Sequence, residues 1–148
     1  MMMRRRIDIT EQTPASPEVV YGLLADGPSW PRWSPIDAFA LERAGDPPPE
    51  GVSAIRVLRR GRTTGRDEIL ELVPNQRLKY ASLSGLPVRD YVGVVSLQPA
   101  PDGGTTIRWE ASFLPTRPGT GWILERGIRR FLGQCARGLA EYAAAPSS

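Results

Sequence analysis

The sequence predicts an α+β chain. A curved antiparallel sheet of seven strands wraps around one long C-terminal helix, two short helices lie between strands 1 and 2, and an internal apolar cavity is left between sheet and helix. Three observations lead there. Thr120–Ala145 carries Leu124, Ile128, Phe131, Leu132, Cys135, Leu139 and Tyr142 at helical spacing, inside a stripe roughly 100° wide. The segments from Ile36 to Pro115 are short, alternating and joined by turns of hairpin length, which makes the sheet antiparallel. Helix signals before that run occur only after a first strand, and a strongly twisted sheet curls so that a helix can lie across its concave face.

Residues 7–13, IDITEQT, alternate with Ile7 and Ile9 on one side and form strand 1. ASPEVVYGLLAD then starts a helix, with Ser16 as N-cap, Pro17 at the first helical position and Glu18 in the first turn. Val19, Val20, Leu23 and Leu24 are its expected buried side, and it ends near Asp26-Gly27. In PSWPRWSP, residues 28–35, Trp30 and Trp33 share one side of a single turn, as a hydrophobic plug, a pocket rim, or both.

IDAFALERA opens the strand run, and the Gly45–Gly51 segment with its three consecutive prolines is a loop. VSAIRVLRRG alternates Ile55 and Val57 with Arg56, and GRDEILELV leads to a turn at Pro74-Asn75-Gln76. RLKYASLSG and VRDYVGVVSLQP follow, parted by Gly85-Leu86-Pro87. Asp102-Gly103-Gly104 turns tightly into TTIRWEASFLP, where Ile107, Trp109, Ala111 and Phe113 alternate with Arg108, Glu110 and Ser112. On the closing helix, Arg126, Arg129, Arg130, Arg137 and Glu141 oppose the stripe. Gly127 and Gly138 lie at its edge, either to let the helix approach the sheet or to leave room beside it, the former preferred.

At 148 residues, with 41% hydrophobic and 24% charged residues, the chain fits one domain, 1–148. The sequence contains no histidine, which removes Ser-His-Asp and Cys-His catalysis, histidine-ligated metals and the easiest general base at neutral pH. One cysteine, Cys135, excludes a thiolate zinc site and an intrachain disulfide. It points to a reducing, cytoplasmic setting. No apolar h-region follows Arg4-Arg5-Arg6, so no secretory signal is expected, nor is stable membrane insertion. The net charge is +3, and all 19 basic residues but Lys79 are arginine. They are scattered among 16 carboxylates, which favours solvated faces over nucleic-acid binding. A monomer or weak homodimer without cofactor or metal is expected.

SPEVVYGLLAD followed by WPRWSP, then GRDEILELVPNQRLKY, LPVRDYVGVVSLQP, DGGTTIRWEASFLP and PGTGWILERGIRRFL resemble the START-like, helix-grip proteins (SRPBCC superfamily). Within them the match is to the polyketide cyclase/dehydrase group of small bacterial proteins. The resemblance covers nearly the whole chain and is specific for the fold. It is weak for activity, since members include lipid carriers, hormone receptors, allergens, aromatase/cyclases, dioxygenase domains and cochaperone-like domains. In the aromatic polyketide cyclases, a tyrosine after the tryptophan-containing lid segment and an arginine on the central strand contact the substrate. The resemblance places those positions on Ile36 and Leu72, neither of which can exchange a proton. Arg66 and Tyr91 are the substitutes.

Alternation sends Ile55, Val57, Leu78, Tyr80, Tyr91, Val95, Leu97, Trp109, Ala111 and Phe113 to the concave side, and the helix adds Ile128, Leu132 and Cys135. Such a lining suits a hydrophobic or aromatic ligand. The expected binding set is Trp30, Trp33, Ile55, Val57, Tyr80, Tyr91, Val95, Trp109, Phe113, Ile128, Leu132 and Cys135. Tyr80, Tyr91 and Arg66 are the catalytic candidates. Each tyrosine either packs in the core or offers a polar tip to a ligand. Alternation also sets Asp67 and Glu71 on one face and Glu68 on the other. A carboxylate aimed into the cavity would have its pKa raised, while Arg66 is more plausibly an external ion-pair partner. The leading function is binding of a lipid, polyketide or isoprenoid-like molecule as carrier or sensor. A polyketide cyclase/dehydratase-type enzyme and a cochaperone-like interaction module are the alternatives.

Overall fold

A computed structural model describes residues 3–145, so the two ends of the expected 1–148 domain lie outside the described residues. The elements run β1 (Arg5–Thr13), α1 (Pro17–Ala25), a 3-10 turn (Gly27–Ser29), α2 (Trp30–Trp33), β2 (Ala38–Arg43), β3 (Ile55–Arg60), β4 (Thr63–Val73), β5 (Arg77–Ser84), β6 (Val88–Pro99), β7 (Thr105–Pro115) and α3 (Gly121–Ala144). The seven strands form one antiparallel sheet in the order β1-β7-β6-β5-β4-β3-β2. This is the helix-grip architecture expected from the sequence.

Local chemistry sets the ends of these elements. Ser16 caps α1, its hydroxyl accepting the Val19 N–H at 3.4 Å, and Pro17 gives up no needed donor in the first turn. The short α1 buries Val20 and Leu24, one helical turn apart, while Val19 points some 100° away and is 48% exposed, contrary to its expected place on the buried side.

The long helix α3 packs chiefly on β1 and next on β7. Beneath it Ile7, Ile107, Trp109 and Phe113 meet Leu132, Cys135, Ala136 and Leu139, all nearly inaccessible to water. Two expectations about this helix change. Tyr142 is exposed, because β1 ends at Thr13, whose hydroxyl donates to the Ala140 carbonyl at 2.8 Å, and Tyr142 lies past that point. Ala136 and Ala140 take the buried stripe instead, where small side chains bring helix and sheet close. The helix glycines also divide. Gly138 faces the Trp33 carbonyl so closely that a Cβ would overlap it, whereas Gly127 faces open space.

Candidate functional site

Because α3 leans on the β1–β7 half of the sheet, the concave face of β3 to β6 is left partly uncovered. A cavity of about 300 Å³ lies there. Leu58 and Arg60 of β3, Thr63, Gly65 and Asp67 of β4, Tyr80, Ser82 and Ser84 of β5, and Tyr91 of β6 form its sheet side. The helix side is Ile123, Leu124, Gly127, Ile128, Phe131 and Leu132, and Ile36, Gly85 and Leu86 complete the wall. None of the described residues of β1, β2 or β7 lines it. The mouth lies where the β3–β4 and β5–β6 turns meet the first turns of α3, and Leu86 and Ile123 are exposed there.

A polar row crosses the wall. Cross-strand partners share a face, and the register pairs Arg56 with Asp67, Asp67 with Ser82, and Ser82 with Tyr91. Arg56 is buried at one end of the row. Its Nη2 donates to the Ala25 carbonyl at 2.8 Å, its Nε lies 2.9 Å from Glu50 Oε1, and its guanidinium stands 5.7 Å over the Trp30 ring. The same Glu50 carboxylate accepts the Gly27 N–H at 3.0 Å. Asp67 has no such partner. Burial pushes its carboxyl from the ordinary 3.8 up to about 7, opposed only by the charge of Arg56 and by no hydrogen bond.

Tyr91 ends the row and Tyr80 stands beside it. Trp109 Nε1 donates to the Tyr80 phenol oxygen at 3.1 Å. The Tyr80 ring occupies the space a Cβ at Gly93 would take, so that glycine admits it. Burial raises both phenols; the nearby Asp67 carboxyl adds to the rise in each, while the Tyr80 hydroxyl partly offsets it for Tyr91. Both phenols are therefore protonated donors at neutral pH.

Of the expected binding residues, Tyr80, Tyr91, Ile128 and Leu132 line this cavity. Val95, Trp109, Phe113 and Cys135 are instead in the solid core under α3, because the helix seats directly on β7. Burial pushes the Cys135 thiol up, which keeps it protonated. Trp30 and Trp33 form the plug and not a rim. Both are buried, with centroids 4.5 Å apart, and their indole N–H groups donate to the Leu24 carbonyl and the Ser29 hydroxyl.

Ile55 and Val57 are a correction of strand register: Val57 pairs with Arg66 on the outer face, and Arg56, Leu58 and Arg60 point inward. The run Ile55-Arg56-Val57-Leu58 fits either face by hydrophobicity. Glu50 and the Ala25 carbonyl, both distant in sequence, satisfy the inward arginine. Arg66 does not reach the cavity; it forms a bidentate pair with Glu42 outside. A bulge between Ile69 and Glu71 turns Glu71 outward onto Arg77, away from the face of Asp67.

The comparisons with known proteins agree with this architecture. A family model described as polyketide cyclase/dehydrase and lipid transport matches residues 4–144. No curated protein matches the chain. Among solved structures, a START superfamily protein from Mycobacterium smegmatis superposes with a TM-score of 0.80 at 14% identity, covering 93% of this chain and 96% of that one. The Zhui aromatase/cyclase from Streptomyces sp. R1128 gives a TM-score of 0.80 at 16% identity, covering 95% and 94%. Norcoclaurine synthase from Thalictrum flavum, in complex with dopamine and hydroxybenzaldehyde, gives 0.77 at 15% identity, covering 99% and 90%. At these identities the likeness is one of fold.

Proposed function

We propose, from the premise that the chain belongs to the polyketide cyclase/dehydrase and lipid transport family, that it binds one compact apolar or aromatic molecule in the cavity between α3 and β3–β6, as a carrier or sensor. The observation that carries this is a 300 Å³ space with an apolar helix wall and one polar row, Asp67-Ser82-Tyr91, on the sheet wall. That volume is at the low end for small-molecule sites, which favours a ring system of modest size over a long acyl chain. Tyr91 and Ser82 supply hydroxyls to orient a single oxygen or nitrogen function, and the remaining wall contributes burial. With Trp30 and Trp33 buried, the tryptophan pair is not available as the surface of an interaction module, although Trp122 is exposed. We place the protein in the reducing cytoplasm, where Cys135 stays a thiol.

A second reading rests on Asp67. A carboxyl titrating near 7 beside a protonated phenol is suited to move a proton to or from a bound carbonyl compound, as a cyclase or dehydratase requires. Ile36 lines the cavity and Leu72 packs against the core, so neither replaces the tyrosine and arginine of the aromatic polyketide cyclases; Asp67 and Tyr91 are the groups left to act.

Native mass spectrometry of protein purified from its own host tests both. A stoichiometric small-molecule adduct released on denaturation is expected, and incubation with its uncyclised or hydrated precursor then distinguishes carrier from enzyme. Absence of any adduct, together with no thermal shift across a panel of lipids and aromatics, overturns the ligand-binding reading.

A further inference from the structure

Asp67 and Arg60 are the two charged residues of the cavity wall, and they are held apart. Arg60 is exposed at the tip of the β3–β4 hairpin, with its guanidinium 5.0 Å over the Phe131 ring. Asp67 is four residues in from Thr63, the partner of Arg60, which is roughly 13 Å along the strand. The nearest cation to Asp67 across the sheet is Arg56, and Arg56 is already neutralised by Glu50 and held by the Ala25 carbonyl. On the other side Asp67 meets Ser82 and then Tyr91, neither of them a cation. The chain therefore leaves one carboxyl facing the cavity with the shared charge of Arg56 across the sheet but with no ion pair or hydrogen bond of its own among the described residues.

We infer that the inner end of the cavity recognises the ammonium group of an amine-bearing aromatic or alicyclic ligand, with Asp67 as counter-ion and the faces of Tyr80 and Tyr91 flanking the charge. This rests on the ligand-binding reading above. Hydroxyl or carbonyl ligands need only Ser82 and Tyr91, whereas a cation is the ligand group that lets the partnerless Asp67 carboxyl stay charged in the cavity wall. Burial favours the neutral form of Asp67, and an arriving ammonium drives the carboxyl to its charged form. Aromatic faces around the site add cation–π attraction. Arg60 at the mouth disfavours a positive charge there, so the amine is held at the inner end and the rings lie toward the mouth.

The test uses three probes that share a ring and reach: 2-(2-naphthyl)ethylamine, 2-(2-naphthyl)ethanol and 2-naphthylacetate. Calorimetric titration at pH 7.5 is run on the wild type and on Asp67→Asn, with thermal unfolding confirming that the variant is folded. The wild type is expected to bind the amine at least tenfold tighter than the alcohol and the carboxylate most weakly. Asp67→Asn is expected to erase the preference for the amine. Equal or weaker binding of the amine in the wild type, or a preference that survives in Asp67→Asn, overturns this inference while binding of the alcohol leaves the cavity reading standing. Failure of all three probes to bind overturns both.

Discussion

Trp109 Nε1 donates to the Tyr80 phenol oxygen at 3.1 Å, joining β7 to β5 across the intervening β6. Through this bond the solid half of the core fixes the position of a side chain that lines the cavity. Tyr80→Phe leaves the indole N–H buried without an acceptor and is expected to lower stability by about 1–3 kcal/mol. Trp109→Ala empties the core and is expected to cost about 3–5 kcal/mol. Urea unfolding measures both, and a loss below about 1 kcal/mol for Trp109→Ala contradicts its burial under α3.

The carboxyl of Asp67 ordinarily titrates at 3.8 and is raised to about 7 in the folded chain. Between those values the folded protein holds a proton that the unfolded chain has released, so this group's contribution to stability falls as pH rises through that window. Asp67→Asn removes the dependence. The variant should gain roughly 2–3 kcal/mol relative to wild type on going from pH 5 to pH 8 in denaturant unfolding. Asp8, Glu42 and Glu71, held low chiefly by hydrogen bonds from Arg108, Arg66 and Arg77, behave alike in both proteins and cancel. A difference that does not change with pH would show Asp67 to be fully hydrated.

Tyr91→Phe removes one hydroxyl from the wall of the cavity and fills the same volume. Stability is expected to stay within about 1 kcal/mol of wild type, while affinity for 2-(2-naphthyl)ethanol drops about three- to tenfold, as loss of one hydrogen bond implies. Unchanged affinity in calorimetry would remove Tyr91 from the contact surface.

Two glycines of α3 should respond in opposite ways. Gly138→Ala forces a methyl into the Trp33 carbonyl and is expected to destabilise by about 1–3 kcal/mol. Gly127→Ala meets nothing and is expected to stabilise by roughly 1 kcal/mol through helix propensity. Thermal unfolding of the pair checks this, and a shift of both in the same direction contradicts the placement of the helix.

Glu50→Ala strands the buried Arg56 guanidinium and is expected to cost about 3–5 kcal/mol. The double variant Glu50→Ala, Arg56→Met should recover most of that loss, since the charge that needed pairing is gone. A double variant no more stable than Glu50→Ala would mean that Glu50 acts through the Gly27 N–H alone.

The architecture was legible because it rests on local patterns: Ser16-Pro17 at a helix start, alternation through Ile107-Trp109-Ala111-Phe113, and the stripe on α3. Alternation also separates Asp67 from Glu68 but leaves open which of them faces the cavity. Arg66 fits both an external ion pair and a catalytic role until its pairing with Glu42 decides it. Three further things were not legible. Hydrophobicity alone does not orient β3, because Arg56 becomes an inward residue only through Glu50 and Ala25. A bulge in β4 redirects Glu71, and strand alternation carries no sign of it. The tilt of α3 toward β1 and β7 decides which concave residues meet solid core and which meet space, and that is a property of the whole packing.

The plug of Trp30 and Trp33, locked by the Gly138 contact, leaves the cavity's opening to the turns around Gly61 and Gly85 and the start of α3. If a molecule binds there as proposed, its path out runs past those turns and not through the Trp109 core. Leu86 and Ile123, exposed on that opening and outside the core, are thus positions where the passage can be altered with the melting temperature left where it is.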